Sequence, residues 1–361
     1  MGHARLKNMK ILYVAGREET YSRTRIVLRA LREKGHEVIT CLPPDRSFKN
    51  YPRLLWNTLL KAPQCDVVLV GFYGQLLVPF IRLLTWKPIV FDMYIGTYET
   101  MVFDRQKTQP GTLMARIYAL SDWLSYKMAD VSILDTHHAI AHFGKVIGSD
   151  TKRLQRLFLA VDDSAIYPRE ADRPHDGFLV HFHGEFSPFH GVRIILQAAK
   201  LLEDQNVRFQ IIGKGITYEE DMQLGRDLGL KNVTFVDTVS YADLAVYMAR
   251  ADVCLGIFGD NARAQLVMTN KAIEAIGMAK PLITRTNQPI QELFTHRENA
   301  FLVEPANPQA LANAILELQA NPALRESMAK KAYESFQANC TIAQLGNSLD
   351  RIIRSVLKRP A

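Results

Sequence analysis

The 361-residue chain holds little that would specify a disulfide scaffold, a metal centre or a membrane span. Its four cysteines (Cys41, Cys65, Cys254, Cys340) are scattered, with no C-x-x-C pair, which argues against a disulfide framework and fits a reducing compartment. No HExxH, EF-hand or zinc spacing occurs, and no P-loop. A G-x-S-x-G nucleophile elbow is missing too, which disfavours an α/β-hydrolase. The dinucleotide fingerprint G-x-G-x-x-G also fails. The turn after the first predicted strand, AGREETYSR (15–23), has one glycine, and GKGITYEE (213–220) stops at two. No hydrophobic segment precedes Lys10, so no secretory signal is expected and the protein reads as cytoplasmic. The most apolar stretch, VVLVGFYGQLLVPFIRLLTW (67–86), is broken by Gly, Pro, Gln and Arg82, and predicts a strand followed by a short helix rather than a span.

What is present describes a globular protein: 48% hydrophobic and 22% charged residues, in a chain long enough for two domains. A net charge of +7 favours phosphates or an anionic membrane surface as partners, without choosing among nucleotide, nucleic acid and lipid. Strand-like runs at 9–16, 36–42, 66–72, 87–94 and 130–136 are separated by helical patterns, the clearest at 20–35 and 114–129. Gly35 is placed to end the first helix. Strands separated by helices pair in parallel and build a Rossmann-like sheet. The charged, proline-containing stretch 162–177 predicts a linker. A second α/β set follows, with strands at 178–184, 207–215, 232–239, 252–258, 281–286 and 299–305. Between and after them come helices at 191–205, 218–230, 240–251 (Ser240 as N-cap), 270–279, 308–321 and 322–336. A last helix covers 341–359.

The blocks HFHGEFSPFHGVRIILQAAKLL, VRFQIIGKG, NVTFVDTVSYADLAVYMARADVCLGIF and NKAIEAIGMAKPLITRTNQPIQELF stand in an order and spacing that resembles a known family. It is the donor-binding domain of the GT-B retaining glycosyltransferases, family 4-like, of the glycogen-synthase-like superfamily. The resemblance implies a GT-B fold: two Rossmann-like domains facing across a cleft, with a C-terminal crossover helix. It divides the chain into an acceptor domain (1–165), a nucleotide-sugar donor domain (166–340) and a helix crossing back to the first domain (341–361).

The family signature is two glutamates separated by seven residues, the second of which holds the nucleotide ribose. That position is Glu274; the first is Leu266, which puts the sugar contacts in doubt. Near the diphosphate the resemblance implies Lys271 and the helix start at Met268, Thr269 and Asn270. Many relatives carry Arg and Lys in the segment GEFSPFHG (184–191), whereas this chain offers Glu185 and His190. His190, Gly191 and Arg193 are therefore candidates for the phosphates, with Lys214 at the cleft edge and Asp260, Asn261 and Arg263 facing the donor sugar. As bare residues, Lys271 and Lys214 read equally well as surface lysines, His190 as a helix cap, and Glu274 as a solvated helix carboxylate.

Where the family often carries a reaction-centre histidine, this chain has Asp92, Tyr94 and Glu99. Asp92 is an acceptor-side base, an orienting group or a capping carboxylate. DTHHAIAHF (135–143) clusters His137, His138 and His142 without a carboxylate at metalloprotease spacing. The resemblance places His137 or His138 at the cleft, and no metal or other cofactor is expected.

The implied function is transfer of a sugar, with retention of configuration, from a nucleotide-diphosphate donor to a glycan, lipid-linked or small-molecule acceptor. Nucleic acid is not an expected partner. Arg17, Arg23, Arg25 and Arg29, with the aromatic 72–86 stretch, suggest peripheral association with the inner face of a membrane. The missing first glutamate keeps two alternatives open, an inactive GT-B accessory subunit and a nucleotide-sugar epimerase of the same fold.

Overall fold

The computed structural model describes residues 8–105, 107–172 and 177–358. The chain forms two compact units, Met1–Phe158 with Ile342–Ala361, and Leu159–Thr341.

The first unit holds strands β1 (Lys10–Val14), β2 (Glu37–Cys41), β3 (Val67–Val70), β4 (Ile89–Asp92), β5 (Val131–Leu134) and β6 (Leu154–Arg156). All pair in parallel, in the order β2-β1-β3-β4-β5-β6. Its helices are α1 (Ser22–Glu33), α2 (Tyr51–Lys61), α3 (Leu77–Leu84), α4 (Leu113–Met128) and α5 (His137–Ile147). The sequences VVLV of β3 and VSIL of β5 are buried along their whole length. A parallel sheet covered on both faces needs such unbroken apolar runs, because neither face meets water. Gly35 ends α1 at φ +81°, and its N–H donates to Arg32 O at 2.9 Å, as the sequence predicts.

The second unit holds β7 (Phe178–His183), β8 (Val207–Ile212), β9 (Val233–Val236), β10 (Val253–Leu255), β11 (Leu282–Arg285) and β12 (Phe301–Val303). Their order is β12-β11-β10-β7-β8-β9, again parallel. Helices α6 (Val192–Leu201), α7 (Tyr218–Asp227), α8 (Tyr241–Arg250), α9 (Asn270–Gly277), α10 (Pro308–Ala320) and α11 (Pro322–Asn339) belong to it. Ser240 caps α8, its side chain accepting the Asp243 N–H. Strand order reverses between β7 and β10, the place where open α/β sheets bind ligands at their carboxyl edge. The loops leaving these two strands are joined there. Phe258 N–H donates to His190 O at 3.0 Å and Gly259 N–H to Phe189 O at 3.2 Å. Gly191 sits at φ +69°, and a Cβ on it would lie 2.5 Å from Gly259 N. Only glycine fits such an approach.

Two elements escape the sequence reading. α2 packs Tyr51, Leu54 and Leu55 inward, but Trp56, Leu59 and Leu60 on its outer side blur the periodicity. β6 is a three-residue strand at a sheet edge. The predicted linker 162–177 is partly structured: Ile166 is fully buried, and a Cβ on Gly277 would lie 2.8 Å from its side chain. Residues 173–176 of that stretch lie outside the described residues.

The last helix, α12 (Ile342–Leu357), returns to the first unit and packs on α1. Leu345, Leu349, Ile352, Ile353 and Val356 form its buried stripe, and Lys34 Nζ reaches Asn347 Oδ1 at 2.6 Å. At Gly346 the helices approach so closely that a Cβ would meet Lys34 Cγ at 2.8 Å and Ala30 O at 2.9 Å. Gly346→Val should therefore lower stability by about 1–3 kcal/mol, despite replacing a helix glycine. Urea denaturation against the unsubstituted protein measures it, and a variant of equal or higher stability would contradict the close crossing.

Candidate active site

The site grows from the face that β7 turns toward α8 and α9. Alternation along FLVHFH puts His181 and His183 on one side of the strand. His181 lies opposite Gln210 in the β7–β8 register. Gln210 Nε2 is 2.8 Å from His181 Nδ1, His181 Nε2 is 2.9 Å from His183 Nδ1, and His183 Nε2 is 2.8 Å from Glu274 Oε2. Tyr241 OH, at the first turn of α8, donates to Glu274 Oε1 at 3.0 Å.

One proton arrangement satisfies this chain. A carboxylate only accepts, so His183 Nε2 donates and its Nδ1 accepts from His181 Nε2–H. His181 Nδ1 then accepts from the Gln210 amide. Every member is then paired. Burial holds His181 well below the usual histidine range, with the Lys271 charge in the same direction. Burial alone would raise Glu274. Hydrogen bonds from His183 and Tyr241 and the charge of Lys271 outweigh it and hold the carboxyl below its ordinary value.

Lys271 lies one turn before Glu274 on α9, on the same side of the helix. Its ammonium is buried, 4.3 Å from the centre of the Phe182 ring, and has no protein hydrogen-bond partner. Burial pushes it down to about 7, against the pull of Glu274 and Glu185. Gly184, at φ +144°, leaves it room, since a Cβ there would sit 2.6 Å from Nζ. A buried cation with no partner, at the start of a helix whose first N–H groups lack intrahelical acceptors, is a built receptor for an anion.

Several expected residues converge here. Thr269 is the buried N-cap of α9, without a side-chain cap bond, and Asn270 opens the helix exposed to solvent. His190 is buried beside this cluster, and its Nδ1–H donates to the Glu185 carbonyl. Burial, then the Lys271 charge, keeps it neutral. Gly191 shapes the same loop. A cleft of about 290 Å³ adjoins, lined by His183, Gly184, Lys214, Thr238 and Leu244 among others. Lys214 is exposed at its edge, 2.7 Å from Asp237. Asp260 is exposed beyond the β10 loop, and Asn261 caps the short turn 262–265. Arg263 is buried, 6.0 Å from the Phe189 ring. Arg193 is exposed on α6, where its charge acts on Asp221 rather than on the Lys271 cluster.

In the first unit Asp92 is fully buried, and both its oxygens are bound by the Arg23 guanidinium at 2.9 and 3.0 Å. Arg23 thus occupies both carboxylate oxygens of Asp92. His137 is exposed at the opening of α5, capped by Thr136, while His142 faces Glu99 at 3.6 Å. The sequence reading missed His181, His183, Gln210 and Tyr241. The alternating histidines of FLVHFH were the available signal, but their partners come from three other elements.

Residues 177–321 match the family described as "Glycosyl transferases group 1". Over 190 residues the chain is 28% identical to the lipopolysaccharide core biosynthesis glycosyltransferase LpsD of Rhizobium meliloti, covering 52% of each chain. It is 27% identical over 153 residues to an uncharacterized glycosyltransferase of Methanocaldococcus jannaschii, covering 42% of this chain and 41% of that one. The chain thus spans about half the length of the curated relatives it matches. Among solved structures, Anabaena HepE in complex with UDP superposes with a TM-score of 0.76 at 16% identity, over 96% of this chain and 100% of that one. Sucrose-phosphate synthase of Thermosynechococcus elongatus gives 0.76 at 16% identity, over 97% and 99%. At such identities these structures speak to the fold alone, a GT-B-like fold with two Rossmann-like units, as the sequence resemblance implies.

The state of Lys271 has a measurable consequence. Folded, it loses its proton near pH 7, whereas the ordinary value is 10.5. Between these values the unfolded chain binds the extra proton, so stability climbs with pH by up to ~1.4 kcal/mol per unit; below pH 7 it is flat in this respect. Lys271→Met should thus be more stable than the unsubstituted protein, most clearly at pH 6–7, with the gap narrowing toward pH 10. Denaturation curves across that range test it, and a constant or negative gap would contradict a buried, unpartnered ammonium.

Proposed function

We propose that this chain, whose residues 177–321 match the group 1 glycosyltransferase family, moves a sugar from a nucleotide-diphosphate donor to an acceptor with retention of configuration. The observation that carries this reading is the pairing on α9 of a buried, unpartnered ammonium, Lys271, with a buried ionised carboxylate, Glu274. Glu274 keeps lone pairs beyond those used by His183 and Tyr241, and these accept the vicinal ribose hydroxyls. Lys271 and the first N–H groups of α9 meet the diphosphate, including the charge that develops on it as the sugar leaves. Such groups give the leaving diphosphate its charge compensation from the protein itself. The cleft beside Lys214 and Thr238 takes the base. UDP is the favoured base carrier, because HepE was crystallised with UDP and with UDP-glucose.

The donor sugar then lies toward the loop carrying Asp260, Asn261 and Arg263. His190 and Gly191 shape the phosphate side of that loop. On the acceptor side, His137 is the exposed candidate, and Asp92 acts by fixing Arg23 beneath Tyr94, whose ring centre is 5.3 Å from the guanidinium. The first unit also contains a cavity of about 320 Å³, walled by Phe72, Tyr73, Leu76, Ile95, Met101 and Ile117 among others. Most of its polar neighbours are occupied: Tyr51 OH donates to Tyr73 O at 2.6 Å, Gln75 Nε2 to Ile95 O at 2.9 Å and Thr100 Oγ1 to Gly96 O at 2.9 Å, while the Ser121 hydroxyl in the same wall has no partner among the described residues. Such a cavity suits an apolar group, and so favours a lipid-linked acceptor over a bare glycan.

Leu266, where relatives place the first glutamate, supports a second reading, a donor-binding subunit without turnover. Titration with UDP, GDP, ADP and CMP, followed by melting temperature, separates these outcomes. UDP should stabilise the chain most, and Glu274→Gln should weaken UDP by about tenfold or more through loss of charge-assisted bonds. Undiminished affinity in that variant would undo the ribose assignment. Release of UDP from UDP-glucose, with the α-anomer seen in the product by NMR, would support retaining transfer, whereas binding without release would support the subunit reading.

A further inference from the structure

Three neighbouring helices of the first unit expose an apolar surface that none of the described residues covers. α3 packs between α2 and α4. From α2, Trp56 (62% exposed) and Leu60 face outward; around α3, Phe80, Leu83 (77%) and Trp86 (97%) do so. On α4, Leu113, Ile117 and Leu120 recur at i, i+4 and i+7 and form an outward stripe, with Trp123 beside them. This inverts the usual amphipathic helix, whose apolar stripe faces the core. Trp56, Trp86 and Trp123 are all the tryptophans of the chain, and all three lie on this surface.

The charges on these helices are mostly of one sign, although Arg82 is held by Asp130, which follows α4. α2 carries Arg53 and Lys61, α3 carries Arg82, and α4 carries Arg116 and Lys127. The only acid in the three helices is Asp122, which is fully buried and accepts the Thr97 and Tyr98 N–H groups. Lys49 and Lys87 flank the helices, Lys87 directly following Trp86. Two copies of this face, joined by a two-fold axis, would set cations against cations. An anionic lipid surface complements them instead, and Trp with Lys or Arg at the rim of an apolar face is the composition of an interfacial segment. No helix among the described residues is long and apolar enough to cross a membrane, so these side chains would enter from one side.

We infer that the α2–α3–α4 face seats the first unit on an anionic bilayer, with Trp56, Leu83, Trp86 and Leu113 at the headgroup–acyl boundary and the lysines and arginines on the phosphates. The wall residues Leu76 and Ile117 belong both to this face and to the apolar cavity of the first unit, so an acceptor's hydrocarbon would reach the cavity without crossing water. That last point rests on the lipid-linked acceptor proposed above, whereas the seating itself does not.

Because every tryptophan is on the face, intrinsic emission reports on it directly. With vesicles of equal parts phosphatidylglycerol and phosphatidylcholine at low salt, the emission should shift to shorter wavelength and the full chain should cosediment. Binding to pure phosphatidylcholine should be at least about tenfold weaker. The pair Leu83→Asp with Trp86→Asp should lower binding about tenfold or more while leaving the UDP-induced rise in melting temperature intact. That rise also shows that the variant is folded. Absence of both emission shift and sedimentation with anionic vesicles would overturn the inference. So would equal binding by the double variant, or a vesicle-free dimer whose emission is already at short wavelength. Vesicle binding without any UDP effect would overturn the donor assignment and leave the membrane face standing.

Discussion

The second unit is organised around one electrostatic constraint, a carboxylate and an ammonium buried three residues apart at the start of one short helix. An isolated charge in such a place is costly, and the structure treats the two differently. Glu274 is supplied with donors from β7 and α8, and behind His183 a line of neutral side chains reaches back to Gln210 on β8. Lys271 receives only an aromatic face and the space left by Gly184. Stability is surrendered at Lys271 and protected at Glu274, as expected of a residue held ready for an anion that the protein itself does not provide.

This division also accounts for the unusual loop after β7. Related donor domains are expected to carry cations there, whereas this chain has Glu185 and a neutral His190. Burial and the nearby Lys271 charge keep His190 uncharged. A buried cation of this unit, Lys271, stands on α9. Since Phe258 and Gly259 are hydrogen-bonded to the His190 and Phe189 carbonyls, the β7 and β10 loops share one backbone framework. A cation on either side of it addresses the same space.

The first unit has the opposite character. Several of its polar groups are closed on one another: Asp92 on Arg23, Asp122 on two backbone amides, Tyr51 and Gln75 on carbonyls. Its cavity wall and its exposed helical surface are mainly apolar.

The strands, most helices and the place of Glu274 were legible in the sequence. Unbroken β-branched runs, helix caps and glycine ends are local signals, set by burial and backbone sterics within a few residues. α2 and the α4 stripe were not, because apolar residues on their outer sides blur the periodicity on which such reading depends. Nor could spacing reveal that His183 and Tyr241 hold Glu274, or that Arg23 occupies Asp92. Those partners lie 91, 33 and 69 positions apart and meet only when parallel strands and their crossover helices are assembled. The sequence by itself determined which elements form and which side chains bring charge to them. Whether a given charge is solvated, paired or left waiting in a dry site was decided by the tertiary structure, because desolvation depends on everything packed around a group and not on its neighbours in the chain.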